Sequence, residues 1–156
     1  MWIDTALPLL RTIIQDVSNT PDYGDSRLID VLFSASHLLL SEVSFNFSYT
    51  VDIIARTIDP DPATSLDTSF LNMVVYKAAL LILSSELKTG ASQGVIVRDG
   101  PSTVDLRSTF ASQKERYKLM LDEYNRVKMQ IKLGDLNSGI GILGPYTANA
   151  PTYIWR

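Results

Sequence analysis

The sequence predicts a mainly α fold: a helical bundle of about four helices, with a short β-strand and hairpin element and an extended C-terminal arm. Three observations predict it. Apolar residues recur at helical spacing in four separate stretches. Two shorter stretches between them switch to the alternation of a strand. The last 23 residues are apolar and aromatic yet hold four of the chain's eight glycines and two prolines, which rules out a long helix. The order along the chain is helix, helix, strand, helix, hairpin, helix, arm, with a helical domain over 1–133 and the arm over 134–156.

In the first helix Leu7, Leu10, Ile13, Ile14 and Val17 keep helical spacing, with Asp4 and Thr5 as candidate caps and Pro8 expected within the first turn. Ser18 to Gly24 breaks that helix. Asp25 or Ser26 caps a second, whose expected buried stripe is Leu28, Ile29, Leu32, Ala35, Leu39 and Val43. From Phe45 to Ile58 the period changes: Phe45, Phe47, Tyr49, Val51 and Ile53 alternate with Asn46, Ser48, Thr50 and Asp52, the pattern of a half-buried strand. Asp59-Pro60-Asp61-Pro62 ends it. A third helix starts near Asp67 or Thr68 and presents Phe70, Leu71, Val74, Ala78, Leu81 and Ile82. It is apolar enough to be the central element, and Gly90 is expected just past its end. Val95–Arg98 and Ser102–Leu106 flank Asp99-Gly100-Pro101 as a short hairpin. The last helix, about Ser108 to Leu133, spaces Phe110, Tyr117, Leu121, Tyr124, Val127 or Lys128, and Ile131 roughly by heptads.

At 156 residues, 46% hydrophobic and 20% charged, the chain fits one domain that can bury a core. It has no cysteine, which excludes disulfides, thiolate metal sites and thiol nucleophiles. The start, M-W-I-D-T-A-L-P, lacks a basic region and an apolar run long enough for a signal peptide. The longest apolar run, Ala78–Leu83, falls short of the roughly 20 residues that span a bilayer, so no membrane association is expected. The net charge of −3 is unevenly spread: residues 1–106 hold 13 acids against 6 bases, residues 107–133 hold 7 bases against 3 acids. That polarity can orient copies head to tail or meet an acidic partner, and a solvated amphipathic helix on an acidic body accounts for it equally well. A nucleic-acid-binding surface would need a denser basic cluster.

No convergent catalytic set is legible. His37, the single histidine, lies in Ser34-Ala35-Ser36-His37 with no nucleophile-elbow pattern nearby. Asp59, Asp61 and Asp67 surround a loop but lack the glycine and terminal glutamate of a calcium loop. Gly90-Ala91-Ser92-Gln93-Gly94 lacks the lysine and spacing of a phosphate loop. Tyr117 and Tyr124 read as packing residues rather than a base-stacking platform. The expectation is a protein whose work is contact, with no enzyme activity, no catalytic or metal site and no cofactor.

The arm is the most informative stretch. Ile140, Ile142, Leu143, Tyr146, Tyr153, Ile154 and Trp155 are unlike a disordered linker, which is poor in such residues. A surface must receive them, on the same domain, on a neighbouring copy or on another protein.

Several phrases are similar to those of the head–tail connector proteins of tailed bacteriophages, also called adaptor or head-completion proteins. They are Y-G-D-S-R-L-I-D-V-L-F-S-A-S-H-L-L-L (Tyr23–Leu40), Y-T-V-D-I-I-A-R-T-I-D-P-D-P (Tyr49–Pro62), F-L-N-M-V-V-Y-K-A-A-L-L-I-L (Phe70–Leu83) and G-V-I-V-R-D-G-P-S-T-V-D-L-R-S (Gly94–Ser108), followed by the long helix. The resemblance covers about Leu7 to Leu133. It implies a structural virion protein of the neck, made in the host cytoplasm, that forms a homo-oligomeric ring, commonly of twelve copies, beneath the portal. Such a ring extends the DNA channel, through which double-stranded DNA passes without sequence-specific binding, and offers a platform for tail or further neck proteins. It further implies that Ile140, Ile142, Leu143, Tyr146, Tyr153, Ile154 and Trp155 are buried anchors against the portal or a neighbouring subunit. Asp59, Asp61, Asp99 and Gly100 become candidate contacts with neighbours or tail components. The alternative is a small cellular helical adaptor or regulatory protein whose C-terminal tail docks on its own core.

Overall fold

Burial of Trp2 sets where the chain begins to fold. Its indole meets the ring of Phe33 edge-on, with centroids 5.3 Å apart, and both side chains are fully enclosed. Trp2, Ala6, Leu10 and Ile14 then fall at four-residue intervals on one buried face, so the helix α1 (Trp2–Ile14) starts a turn before the expected caps. The computed structural model describes residues 1–65, 67–93, 97–99, 102–104 and 107–137. Among these the fold is mainly α, as the sequence predicts: four helices and two antiparallel two-stranded hairpins.

With α1 starting at Trp2, Pro8 lies inside the helix rather than in its first turn. It is tolerated on the exposed face, where the Thr12 hydroxyl donates to the Pro8 carbonyl at 2.9 Å. The helix stops at Gln15, whose left-handed backbone (φ 63°) turns the chain, so Val17 is exposed rather than part of the stripe. The link to α2 (Asp25–Leu40) is organised by Asp16. This buried carboxylate accepts from the Arg11 guanidinium at 2.6 Å and from the backbone N–H groups of Asp22 (2.8 Å) and Tyr23 (3.3 Å). Helix α2 has Gly24 as its cap, without the side-chain cap expected from Asp25 or Ser26. It buries Leu28, Leu32, Phe33, Ala35, Ser36 and Leu39, with Val43 buried just beyond its end and Ile29 half-buried.

The stretch expected as one strand over 45–58 is instead an aromatic approach and a tight hairpin. Strand β1 (Thr50–Asp52) pairs with β2 (Thr57–Asp59) in the register Thr50 to Asp59, Val51 to Ile58 and Asp52 to Thr57. The reversal at 53–56 contains no glycine or proline. Asp52 Oδ1 closes it by accepting from the N–H groups of Ile54 (2.9 Å) and Ala55 (2.8 Å), and Arg56 takes a left-handed φ of 54°. Phe45 and Tyr49 turn inward instead of alternating along a strand. Tyr49 stacks on Phe70 at 4.1 Å, and Phe45 meets Phe70 edge-on at 5.1 Å.

Asp67 starts α3 (Thr68–Gln93), its Oδ1 accepting from the Phe70 N–H at 3.0 Å and its Oδ2 from the Tyr49 hydroxyl at 2.9 Å. The helix is buried on nearly all sides: Met73–Val75 and Ala78–Leu80 are runs of three consecutive buried residues, and at 100° per residue each run covers most of the circumference. Helices α1, α2 and α4 (Arg107–Asn137) all pack on it. The segment Thr68–Thr89 has a mean hydropathy of 1.5 in its most apolar window and is long enough to cross a membrane, although no contiguous apolar run in it approaches that length. Here it is the helix the other three enclose. Gly90 does not end it; a single glycine costs only about 1 kcal/mol inside a helix, and α3 runs on to Gln93. The second hairpin is present, with β3 (Val97–Asp99) antiparallel to β4 (Ser102–Val104), but Asp99, expected in the turn, belongs to β3 and pairs with Ser102. Helix α4 continues past Leu133 to Asn137, so the first four residues assigned to the arm are helical.

Phe70 touches both aromatic partners and is fully buried, so Phe70→Ala should lower the unfolding free energy by about 3–5 kcal/mol in urea titration. A loss below about 1 kcal/mol would show that the aromatic cluster does not carry the α3 N-terminus.

Candidate functional site

The residues expected to make contacts fall in three groups. Ile140, Ile142, Leu143, Tyr146, Tyr153, Ile154 and Trp155 lie outside the described residues, as does Gly100. Asp99 ends β3, opposite Ser102. Asp59 ends β2 and is exposed, whereas Asp61 is half-buried and turned into its own loop, where Oδ1 accepts from the Ala63 N–H at 2.9 Å. With Asp67 committed to Phe70 and Tyr49 and Asp61 to its own loop, the three loop aspartates do not converge on one ligand. Among the described residues no group of three His, Asp or Glu is placed to hold a metal ion.

His37 is exposed on α2, and the neighbouring serines are turned to their own helix: Ser36 Oγ donates to the Leu32 carbonyl and Ser34 Oγ to the Asp30 carbonyl, each at 2.8 Å. On α4, Tyr124 is buried and Tyr117 half-buried against the core, the packing role expected of them. Val127 and Lys128 both belong to the inward face, Val127 against the core and Lys128 reaching Glu42.

Glu42, just past α2, is the principal electrostatic node and was not apparent in the sequence. Its Oε1 pairs with the Lys77 ammonium of α3, and its Oε2 accepts from Lys128 Nζ at 2.8 Å and the Tyr124 hydroxyl at 2.7 Å. Both ammonium groups also lie over the Tyr124 ring, 5.4 and 5.6 Å from its centroid. Burial works to raise the Glu42 pKa, but the hydrogen bonds from Lys128, Lys77 and Tyr124 outweigh it and hold the carboxyl at about 2. Burial, then the Glu42 hydrogen bond and charge, push the Tyr124 hydroxyl up. One carboxylate just past α2 thus ties that helix end to the bodies of α3 and α4. Two more ties act at other edges: the Tyr23 hydroxyl donates to Glu86 Oε1 at 2.7 Å, and Arg116 Nη2 of α4 donates to the Ile14 carbonyl at 2.5 Å.

Among the described residues large apolar side chains are exposed at scattered places, Met1, Val17, Met129 and Leu133 among them, and two of the exposed apolar features have a defined shape. The first is the tip of the β1–β2 hairpin, where Ile54 is 98% exposed and Ile53 44%. At the base of the hairpin the exposed Arg56 pairs with Asp30 of α2 at 2.6 Å. The second is an open groove of about 760 Å³ along α4, lined by Ile13 and Gln15 at the end of α1, Tyr76 of α3, and Glu115, Leu119 and Met120 of α4. Leu119 is 63% exposed there. The sequence pattern masked both. Ile53 completes a strand-like alternation and Leu119 interrupts a heptad, so neither stands out before the chain is folded.

No protein-family model, no curated protein and no solved structure matches this chain.

Because the Glu42 carboxyl is held at about 2 against an ordinary 4.5, its stabilising effect is complete above pH 4.5 and is lost as pH falls through about 2. Glu42→Gln should therefore lower stability at pH 7 by about 2–3 kcal/mol, and the gap between variant and parent should close progressively from about pH 5 to 2. Thermal unfolding followed by circular dichroism across that range reads it. A gap that stays constant with pH would remove Glu42 as the ionised tie.

Proposed function

We propose that this chain is a structural protein of a phage neck, a ring-forming adaptor that docks on the portal, extends the DNA channel and provides a platform for tail attachment. Its primary support is the resemblance of four phrases and of the order of elements to head–tail connector proteins, over about Leu7 to Leu133. The observation that carries it in three dimensions is the division of the apolar surface. Three helices close a core around α3, yet Ile53 and Ile54 at a hairpin tip and Leu119 beside a groove, with Val17, Met129 and Leu133 elsewhere, are left facing outward. Apolar groups left exposed on a folded body suit a protein whose work is contact.

In this reading the partners are neighbouring copies, the portal, and tail or further neck proteins. Ile140, Ile142, Leu143, Tyr146, Tyr153, Ile154 and Trp155 are the anchors against the portal or a neighbour, because large apolar and aromatic side chains dominate interface energetics when buried. Asp59, Asp61, Asp99 and Gly100 are secondary contacts. The acidic bulk of residues 1–106 suits a channel wall that lets DNA pass without gripping it.

The test is light scattering of the purified chain, alone and with portal protein. The expected result is a closed oligomer with a mass near twelve times that of one chain, alone or on the portal. Removal of residues 138–156 should abolish portal docking. A chain that stays monomeric and ignores portal in both forms would overturn the assignment.

A further inference from the structure

The outer face of α4 carries an apolar track that leads from the end of the helix to the groove. Leu119, Met129 and Leu133 are 63%, 59% and 52% exposed. At about 100° per residue the three fall within about 80° of arc, on the side away from Tyr117, Leu121, Tyr124 and Ile131, which face the core. The outward face of a surface helix is normally polar, so large apolar side chains in line there call for a cover. Leu119 belongs to both features. It ends the track and forms one wall of the groove with Ile13, Tyr76 and Met120.

Charge narrows the occupant. Of the charged side chains that line the groove, Arg116 donates to the Ile14 carbonyl and Glu123 pairs with Arg126 at 2.5 Å. Glu115 is exposed and has no partner among the described residues. The groove thus offers apolar walls beside one unpaired carboxylate. Residues 138–156 hold a single charged side chain, Arg156, directly after Tyr153-Ile154-Trp155. Three large apolar groups followed by one cation match that recess in kind and in sign.

Length and position narrow it further. The chain from Asn137 to Tyr153 spans up to about 50 Å when extended, and the way back along α4 from Asn137 to Leu119 is about 27 Å. Gly139 and Gly141, just past the helix, permit the reversal. A neighbouring copy presents the same groove, but only within one chain does the Leu133/Met129 track lie between the origin of the arm and the recess. Tethering also raises the local concentration of the arm at its own groove.

We infer that residues 138–156 fold back over Leu133 and Met129 of their own chain and seat Tyr153, Ile154 and Trp155 in the Ile13/Tyr76/Leu119/Met120 groove, with Arg156 on Glu115. The contact lies outside the core, and ordering the arm offsets most of what its burial contributes, so it is a latch that opens readily. It does not depend on the neck reading. Where both hold, the groove is the place the arm leaves when it anchors on the portal or a neighbour.

The absence of cysteine from the chain allows a clean proximity test in the full-length protein. Ser112→Cys places a thiol on the groove lining and Thr152→Cys places one beside Tyr153, without removing an apolar wall or anchor. The doubly substituted chain is treated with a short bismaleimide, and the linked products are sized and mapped by mass spectrometry. The expected result is a link within one chain, formed at a rate independent of protein concentration. Glu115→Arg should slow it about threefold, and adding Arg156→Glu to that variant should restore it. Leu119→Asp should slow it about tenfold. All these variants should keep the parent's melting temperature, because the altered side chains lie outside the core. A link that forms only between chains, in a mixture of the two single variants, would give the groove to a neighbour's arm and overturn the inference. A link within one chain that ignores Glu115→Arg and Leu119→Asp would show an arm colliding at random, and would overturn it as well. So would the absence of any link.

Discussion

Everything in this structure depends on α3 being apolar around most of its circumference. A helix with one apolar stripe needs one neighbour; a helix buried at Met73, Val74, Val75, Ala78, Ala79 and Leu80 needs neighbours on nearly every side. Helices α1, α2 and α4 supply them, and the polar ties sit at the rims where those helices meet. Glu42 with Lys77, Tyr124 and Lys128 closes one rim, Tyr23 with Glu86 another, and Arg116 with the Ile14 carbonyl a third. Burial supplies the driving force, and these bonds tie neighbouring helices to one another at defined points.

A core satisfied in this way leaves the outer faces available for other work. Apolar side chains are exposed at a hairpin tip and beside one groove, as well as at Val17, Met129 and Leu133, and the turn at the tip is closed by Asp52. The proposed neck adaptor uses that division: a self-contained helical body, and surfaces reserved for copies of itself and for the portal.

Much of the fold was legible because α2, α3 and α4 announce themselves by period, and α3 by its cap as well. Asp67 before Phe70 is a cap in the sequence and a cap in space. The β1–β2 hairpin was not legible, because its turn lacks glycine and is made by Asp52 and a left-handed Arg56, a conformation that few non-glycine residues adopt. The start of α1 was placed late because local caps at Asp4 and Thr5 outweighed the distant partner of Trp2, and only the folded chain brings Phe33 to the indole. Glu42 is one acid among many until three helices converge on it. For the same reason the groove could not be read, since Ile13, Tyr76 and Leu119 are far apart in the chain and meet only through packing.

The central claim is that α3 and its three neighbours close a complete core within residues 1–137. Equilibrium unfolding in urea, comparing the full chain with one ending at Asn137, tests it most directly. The account predicts two cooperative transitions whose free energies agree within about 1 kcal/mol. A shortened chain that loses several kcal/mol, or unfolds without cooperativity, would show that the C-terminal residues belong to the core of their own chain and would contradict it.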